Sequence, residues 1–283
     1  MNYTTYFNNI NLDAILLSIN DALSKIETAK SLNILNSISD AQWTSNAKST
    51  FMFYMNENEK AIDDIKESIS VFVEIIDIAK KVKTLQTEME AAYDYQSLTT
   101  RAQQIQELIT NLINKAVSIK FVDNSNVSVP SYGDAAEIRI DYNSLYNYLN
   151  GSSTSTSSLA DYIKSLVNGY TTFSNMQTSV STDEYIYYVW YKIILQFDSI
   201  IKRCDSINNW FSNYLNTVRT YEEAMPESMP NTVPTITSRS NYVDHSSLNV
   251  ALPKGVENYI GSQVTSKELS GSDYKPEDSN KEA

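Results

Sequence analysis

Apolar residues recur at helical spacing along most of this chain. Leu12, Ile15, Leu16, Ile19, Leu23 and Ile26 share one stripe of a 3.6-residue repeat, which predicts an amphipathic helix over residues 12–37. Ser39 and Asp40 have side chains suited to an N-cap, and a second helix is expected to open there. It carries Phe51, Met55, Ile62, Ile65, Ile69, Phe72, Ile76 and Ala79, with four-three spacing broken only at Asn58. Two such helices with so short a connection must run antiparallel, so residues 1–96 read as a helical hairpin. Leu98, Ala102, Ile105, Ile109, Leu112 and Ala116 mark a connecting helix over 97–117, either continuing the second helix or starting afresh near Thr99.

The pattern changes over residues 118–141. β-branched residues, alternation at Ile138 and Ile140, and Pro130 with Gly133 predict a short β-hairpin or ribbon between the halves. Residues 142–224 then repeat the first pattern as a second hairpin. Leu159, Ile163, Leu166, Tyr170 and Phe173 form one stripe, and a polar turn, SVSTDE, leads into the longest helix. There Ile186, Trp190, Ile193, Phe197, Ile200, Cys204, Ile207, Phe211, Tyr214, Val218 and Tyr221 hold the four-three spacing over five heptads. Such a helix is roughly 60 Å long at about 1.5 Å per residue. Five of the six prolines lie beyond residue 225, so residues 225–283 read as a Pro-rich flexible tail without a fold of its own. The expected fold is mostly α: two tandem antiparallel helical hairpins in a coiled-coil bundle, a small β insert and a disordered tail.

Composition narrows the function. A net charge of −12 opposes nucleic-acid binding, which rests on Lys and Arg displacing counterions, and makes a membrane surface an unfavourable partner. No Sec-type signal peptide is visible in MNYTTYFNNI, and no segment has the roughly 18 uncharged apolar residues of a spanning helix. The single histidine, His245, lies in the tail, where neither a Ser-His-Asp triad nor a Cys-His pair is expected to find a rigid scaffold. One histidine and one cysteine are too few for zinc, and the six glycines form no phosphate loop. The carboxylate pairs Asp63 with Asp64, Glu88 with Glu90, and Asp183 with Glu184 fit solvated helix faces or a helix N-terminus better than acid-base chemistry. No cofactor, metal or catalytic residue is expected.

One motif remains. Between the first two helices lies Trp43-Thr44-Ser45-Asn46-Ala47, followed by Phe51. A small residue two places after Trp lets the chain turn beside a bulky indole, which can close the end of the hairpin core. Ala47 and Phe51, four apart, start the inward face of the next helix. This arrangement resembles the WxG helical-hairpin family of type VII secretion substrates. Ser45 stands where that family has Gly, while Ala47 and Phe51 match. Over residues 137–224 the resemblance is one of architecture: Glu137 to Asp141 is similar to the family's extended lead-in, but Val180, Thr182 and Asp183 replace the Trp signature.

The resemblance implies export without a cleaved signal peptide, as paired hairpins forming a four-helix bundle, here as an intramolecular pseudo-dimer. It also implies an export signal of Tyr, three residues, then Asp or Glu. Tyr274 with Asp278 meets that spacing, whereas Tyr221 meets Met225. The expected function is a secreted, bacterial, non-enzymatic substrate acting through contacts with the secretion machinery or a small helical-hairpin protein. The alternatives are a helical pore-forming toxin that inserts residues 117–140 as a tongue, disfavoured by that segment's charges, and a cytosolic coiled-coil adaptor.

Overall fold

The structure is a computed structural model, and it describes residues 6–92, 94–119, 138–151 and 157–221, with residues 243, 245–248, 250 and 253 of the tail. The chain is mostly helical. In order come α1 (Leu12–Ser31), a 3-10 turn (Ile34–Asn36), β1 (Trp43–Thr44), α2 (Asn46–Glu90), α3 (Tyr95–Ser118), β2 (Arg139–Ile140), α4 (Tyr142–Asn150), α5 (Leu159–Ser174), α6 (Gln177–Val180) and α7 (Glu184–Tyr221).

Side-chain caps set several of these boundaries. Asn11 accepts from Ala14 N to open α1, Ser45 from Lys48 N to open α2, Asp94 from Ser97 N to open α3, and Ser158 from Asp161 N to open α5. Asp183 Oδ1 takes the N–H groups of Tyr185 and Ile186 at the start of α7. Burial raises the Asp183 pKa, opposed by these same bonds. The first helix is shorter than its periodicity predicts, because Asn33 adopts a left-handed conformation (φ 49°) and the chain tightens into the 3-10 turn. Asp94 answers the question left open around residue 97: α3 is a separate helix after a break.

The partners along α1 and α2 run in opposite directions. Lys30 pairs with Asp63, Lys66 with Glu27 (2.5 Å), Lys80 with Asp13 (2.6 Å), and Gln86 holds both the N–H and C=O of Tyr6. The first hairpin is therefore antiparallel. In the second, Trp190 Nε1 of α7 donates to Phe173 O near the end of α5 (2.9 Å). Between hairpins, Asn58 of α2 lies against Cys204 of α7 (3.6 Å), and Ser68 against Gln196 (3.5 Å), so these two also run antiparallel. Phe72 meets Phe173 and Asn58 meets Tyr162 across the core. Helices α1, α2, α7 and α5 thus form a four-helix bundle in which every neighbouring pair is antiparallel.

Three elements extend the bundle. Helix α3 folds back along α2, with Arg101 on Glu88 and Lys115 on Glu74, and reaches α7. Helix α4 packs on α5 and α7. The small antiparallel sheet differs from the expected ribbon in its pairing: β2 joins β1 at the Trp43 turn, with Trp43 opposite Ile140 and Thr44 opposite Arg139. Residues 120–137 of the insert lie outside the described residues.

All of these share one core, within which α7 is unusual. Residues 188–201 are buried on every face of the helix. A helix buried all round needs neighbours on all sides. On the opposite edge, α1 and α5 approach closely at Gly169, where a Cβ would sit 3.2 Å from both Ala22 O and Ile26 Cγ1. Because that neighbour includes rigid backbone, Gly169→Val is expected to lower stability by about 1–3 kcal/mol in urea denaturation, with unchanged helicity below the transition.

Candidate functional site

The Trp43 turn is built from short-range bonds. Ser39 O accepts from Gln42 N and Trp43 N (both 3.1 Å), and Gln42 Oε1 accepts from Ser39 N and Oγ (3.0 and 2.9 Å). Thr44 Oγ1 donates to Asp40 O, and Lys48 pairs with Asp40. Ser39 and Asp40 thus shape the turn, and the expectation that they cap the second helix is corrected: Ser45 caps it. The physical reason is that six further residues are needed to swing the indole into the core before α2 opens. The second half ties the turn down, since Asp141 N donates to Gln42 O (2.8 Å) and Gln42 Nε2 donates to Ser144 Oγ (3.1 Å).

Trp43 is fully buried, as is Phe51. Their ring centroids are 5.7 Å apart, Ser45 caps the helix between them, and Ala47 in its first turn is partly buried against the core. The four motif residues therefore act at one place. Most of what surrounds the indole comes from the second half of the chain, which the motif did not disclose. Phe211 meets Trp43 edge-on at 5.6 Å, Tyr214 lies at 5.4 Å and accepts the indole N–H (3.1 Å), and Trp210 stacks on both Phe51 and Tyr214. Tyr148 of α4 adds an edge contact to Phe51 and donates to Ile34 O (3.1 Å). Phe211 and Tyr214 were visible on the α7 stripe, but only antiparallel packing on α2 brings them here. Tyr221 ends α7, with its side chain outside the described residues; Tyr274 and Asp278 lie wholly outside them.

A second constellation overturns a sequence expectation. His245 is not left without a scaffold: it is buried between α5 and α7 at 1% exposure. Its N–H donates to Asp198 Oδ2 (2.9 Å), and its Nδ1 lies 3.3 Å from Asp198 Oδ1 and 3.1 Å from Tyr170 OH. Nε2 is 3.2 Å from Ser174 Oγ. Tyr170 gives its own proton to Val243 O. A carboxylate only accepts, so the proton is assigned to Nδ1 and Nε2 accepts from Ser174. The Trp190 ring stands edge-on to the imidazole at 5.5 Å. The bonds of Asp198 and Ser174 cross to residues more than 40 positions away, and no local pattern announces such partners.

Other buried polar groups on α7 reach different neighbours. Lys192 donates to Ala116 O in the last turn of α3 (3.2 Å) and lies over the Tyr188 ring. Removal from water lowers its pKa to about 8. Burial likewise pushes the Cys204 thiol up to about 12, consistent with an inert core position. Asp63 and Glu88 make the surface ion pairs given above, as expected for solvated faces. Among the described residues no group of three or more His, Cys, Asp or Glu side chains could hold a metal ion.

Comparison of the chain with protein-family models, curated proteins and solved structures finds no match.

Two expectations follow. Ser45→Ala should cost about 1 kcal/mol in thermal or urea unfolding, but Ser45→Gly only a few tenths, because Gly is a tolerable N-cap. Equal losses would mean that Ser45 contributes something other than its cap. For Lys192, the folded state holds the ammonium with a pKa below its unfolded value of about 10.4. The charge therefore costs about 3 kcal/mol below pH 8, and stability rises as pH increases from 8 to 10.4 because the folded state loses the proton first. Lys192→Met is expected to remove that rise in urea unfolding curves recorded across this range.

Proposed function

We propose that this chain is a secreted, non-enzymatic substrate of a type VII secretion system that acts through protein contacts. The observation that carries the reading is the Trp43 turn. Its Trp and Phe meet and its Ser caps the following helix, at one end of two antiparallel hairpins packed as a bundle. Such hairpins are what the WxG resemblance implies, and here both belong to one chain, so the second hairpin takes the place of a separate partner.

A hydrolytic role for Ser174, His245 and Asp198 is disfavoured by their surroundings. The N–H groups of Asn175 and Met176, the nearest candidates for stabilising an oxyanion, already donate to Thr171 O and Phe173 O. Ser174 also ends α5, where carbonyls converge and the helix dipole opposes negative charge. The cluster is better suited to holding the tail. A pore-forming role finds no support in the helices either, since among the described residues none is long and apolar enough to cross a membrane.

The test is fractionation of the native host. The protein is expected in the culture supernatant, falling at least tenfold when the secretion ATPase is deleted. Equal supernatant levels with and without the ATPase would overturn the reading, and robust leakage of liposomes by the purified protein would favour the membrane-active alternative.

A further inference from the structure

Residues 243, 245–248, 250 and 253 touch the bundle in a way that differs from the rest of the core. Three bundle side chains read the main chain of this segment. Tyr170 donates to Val243 O, Asp198 accepts from His245 N, and Tyr191 donates to Leu248 O (2.9 Å). Residues 245–248 form a turn closed by Leu248 N on His245 O (3.0 Å). Within that turn the imidazole alone is fully buried, in a pocket of Tyr170, Ser174, Trp190 and Asp198. Val250 and Pro253 add buried apolar contact further on, whereas Val243 is 54% exposed.

We propose that the groove between α5 and α7 is a peptide-recognition site. Its resident ligand is this chain's own residues 243–253, which leave and return as a unit while the bundle stays folded. The groove's polar lining makes such exchange feasible. When the segment leaves, water reaches a carboxylate and three hydroxyls that it can hydrogen-bond, so most of the uncovered groups stay satisfied. Recognition is through main-chain groups and one imidazole, so His245 is the key residue.

Chain length favours docking within one molecule. Asp198 lies 23 residues before the end of α7, about 35 Å along the helix. The 21 residues from 222 to 242 can span about 70 Å when extended, enough to bring residue 243 back to that level.

The experiment places a specific protease site between residues 226 and 240 of the full chain and cuts the folded protein. The C-terminal fragment is expected to co-elute with the bundle in gel filtration, and excess synthetic peptide of residues 241–255 should displace it without loss of helical circular dichroism. With His245→Ala in the chain, the fragment should separate at least tenfold more readily, and a His245→Ala peptide should fail to displace the wild-type fragment. Immediate release of the wild-type fragment, indifference to His245→Ala, or unfolding on displacement would each overturn the proposal. So would an uncut protein eluting as a dimer that the peptide dissociates, because the segment would then dock between copies.

Discussion

The rest of the fold depends on α7 being buried on every face over residues 188–201. Over that stretch the helix shows no face to water, so α2, α3 and α5 are all required around it. Apolar burial is non-directional and would not by itself decide which neighbour lies where. The buried polar groups of α7 supply that direction. Lys192 addresses the C-terminal turn of α3, Gln196 meets Ser68 of α2, Trp190 donates to the α5 backbone, and Asp198 binds the tail. Each would be left unsatisfied, at about 1–3 kcal/mol, if its neighbour were exchanged for another. Lys192 shows the cost of this arrangement, since its charge is held against a desolvation penalty that a plain apolar residue would not incur.

At the far end of α7 the same helix completes the turn of the other hairpin. Trp43 gains its closest ring neighbours from both halves of the chain, and β1 with β2 fastens the two halves at the same point. The Trp43 turn is therefore a joint as well as a cap. Ser45 fits this role because a hydroxyl can end the turn and open α2 in one residue. Asn58, the one break in the α2 repeat, is explained in the same way: its amide lies between Tyr162 and Cys204, where it pins α2 against both helices of the second hairpin.

The tail gives the bundle a third kind of contact, in which Val243, His245 and Leu248 are held by hydrogen bonds to their main chain. His245, Asp198, Ser174 and Tyr170 form a connected hydrogen-bonded network, which offsets the cost of burying them.

Periodicity was enough to locate α1, α2, α5 and α7, since a buried stripe must repeat every three or four residues whatever lies opposite. The inward positions from Phe51 to Ala79 and from Ile186 to Phe211 are all buried as that repeat requires. A turn near Trp43 was legible too, because a turn beside a bulky ring is a local event governed by a few adjacent residues. The helix ends were read less well. Asn33 stops α1, and Ser45 rather than Ser39 or Asp40 opens α2, through backbone conformations that several nearby polar residues could equally have adopted. Only tertiary packing decided that β2 pairs with the Trp43 turn, that residues 188–201 of α7 are encased on every side, and that His245 fills a pocket between α5 and α7. These are meetings of residues tens to more than a hundred positions apart, and a repeat along the chain states which face of a helix is inward without naming the surface it will meet.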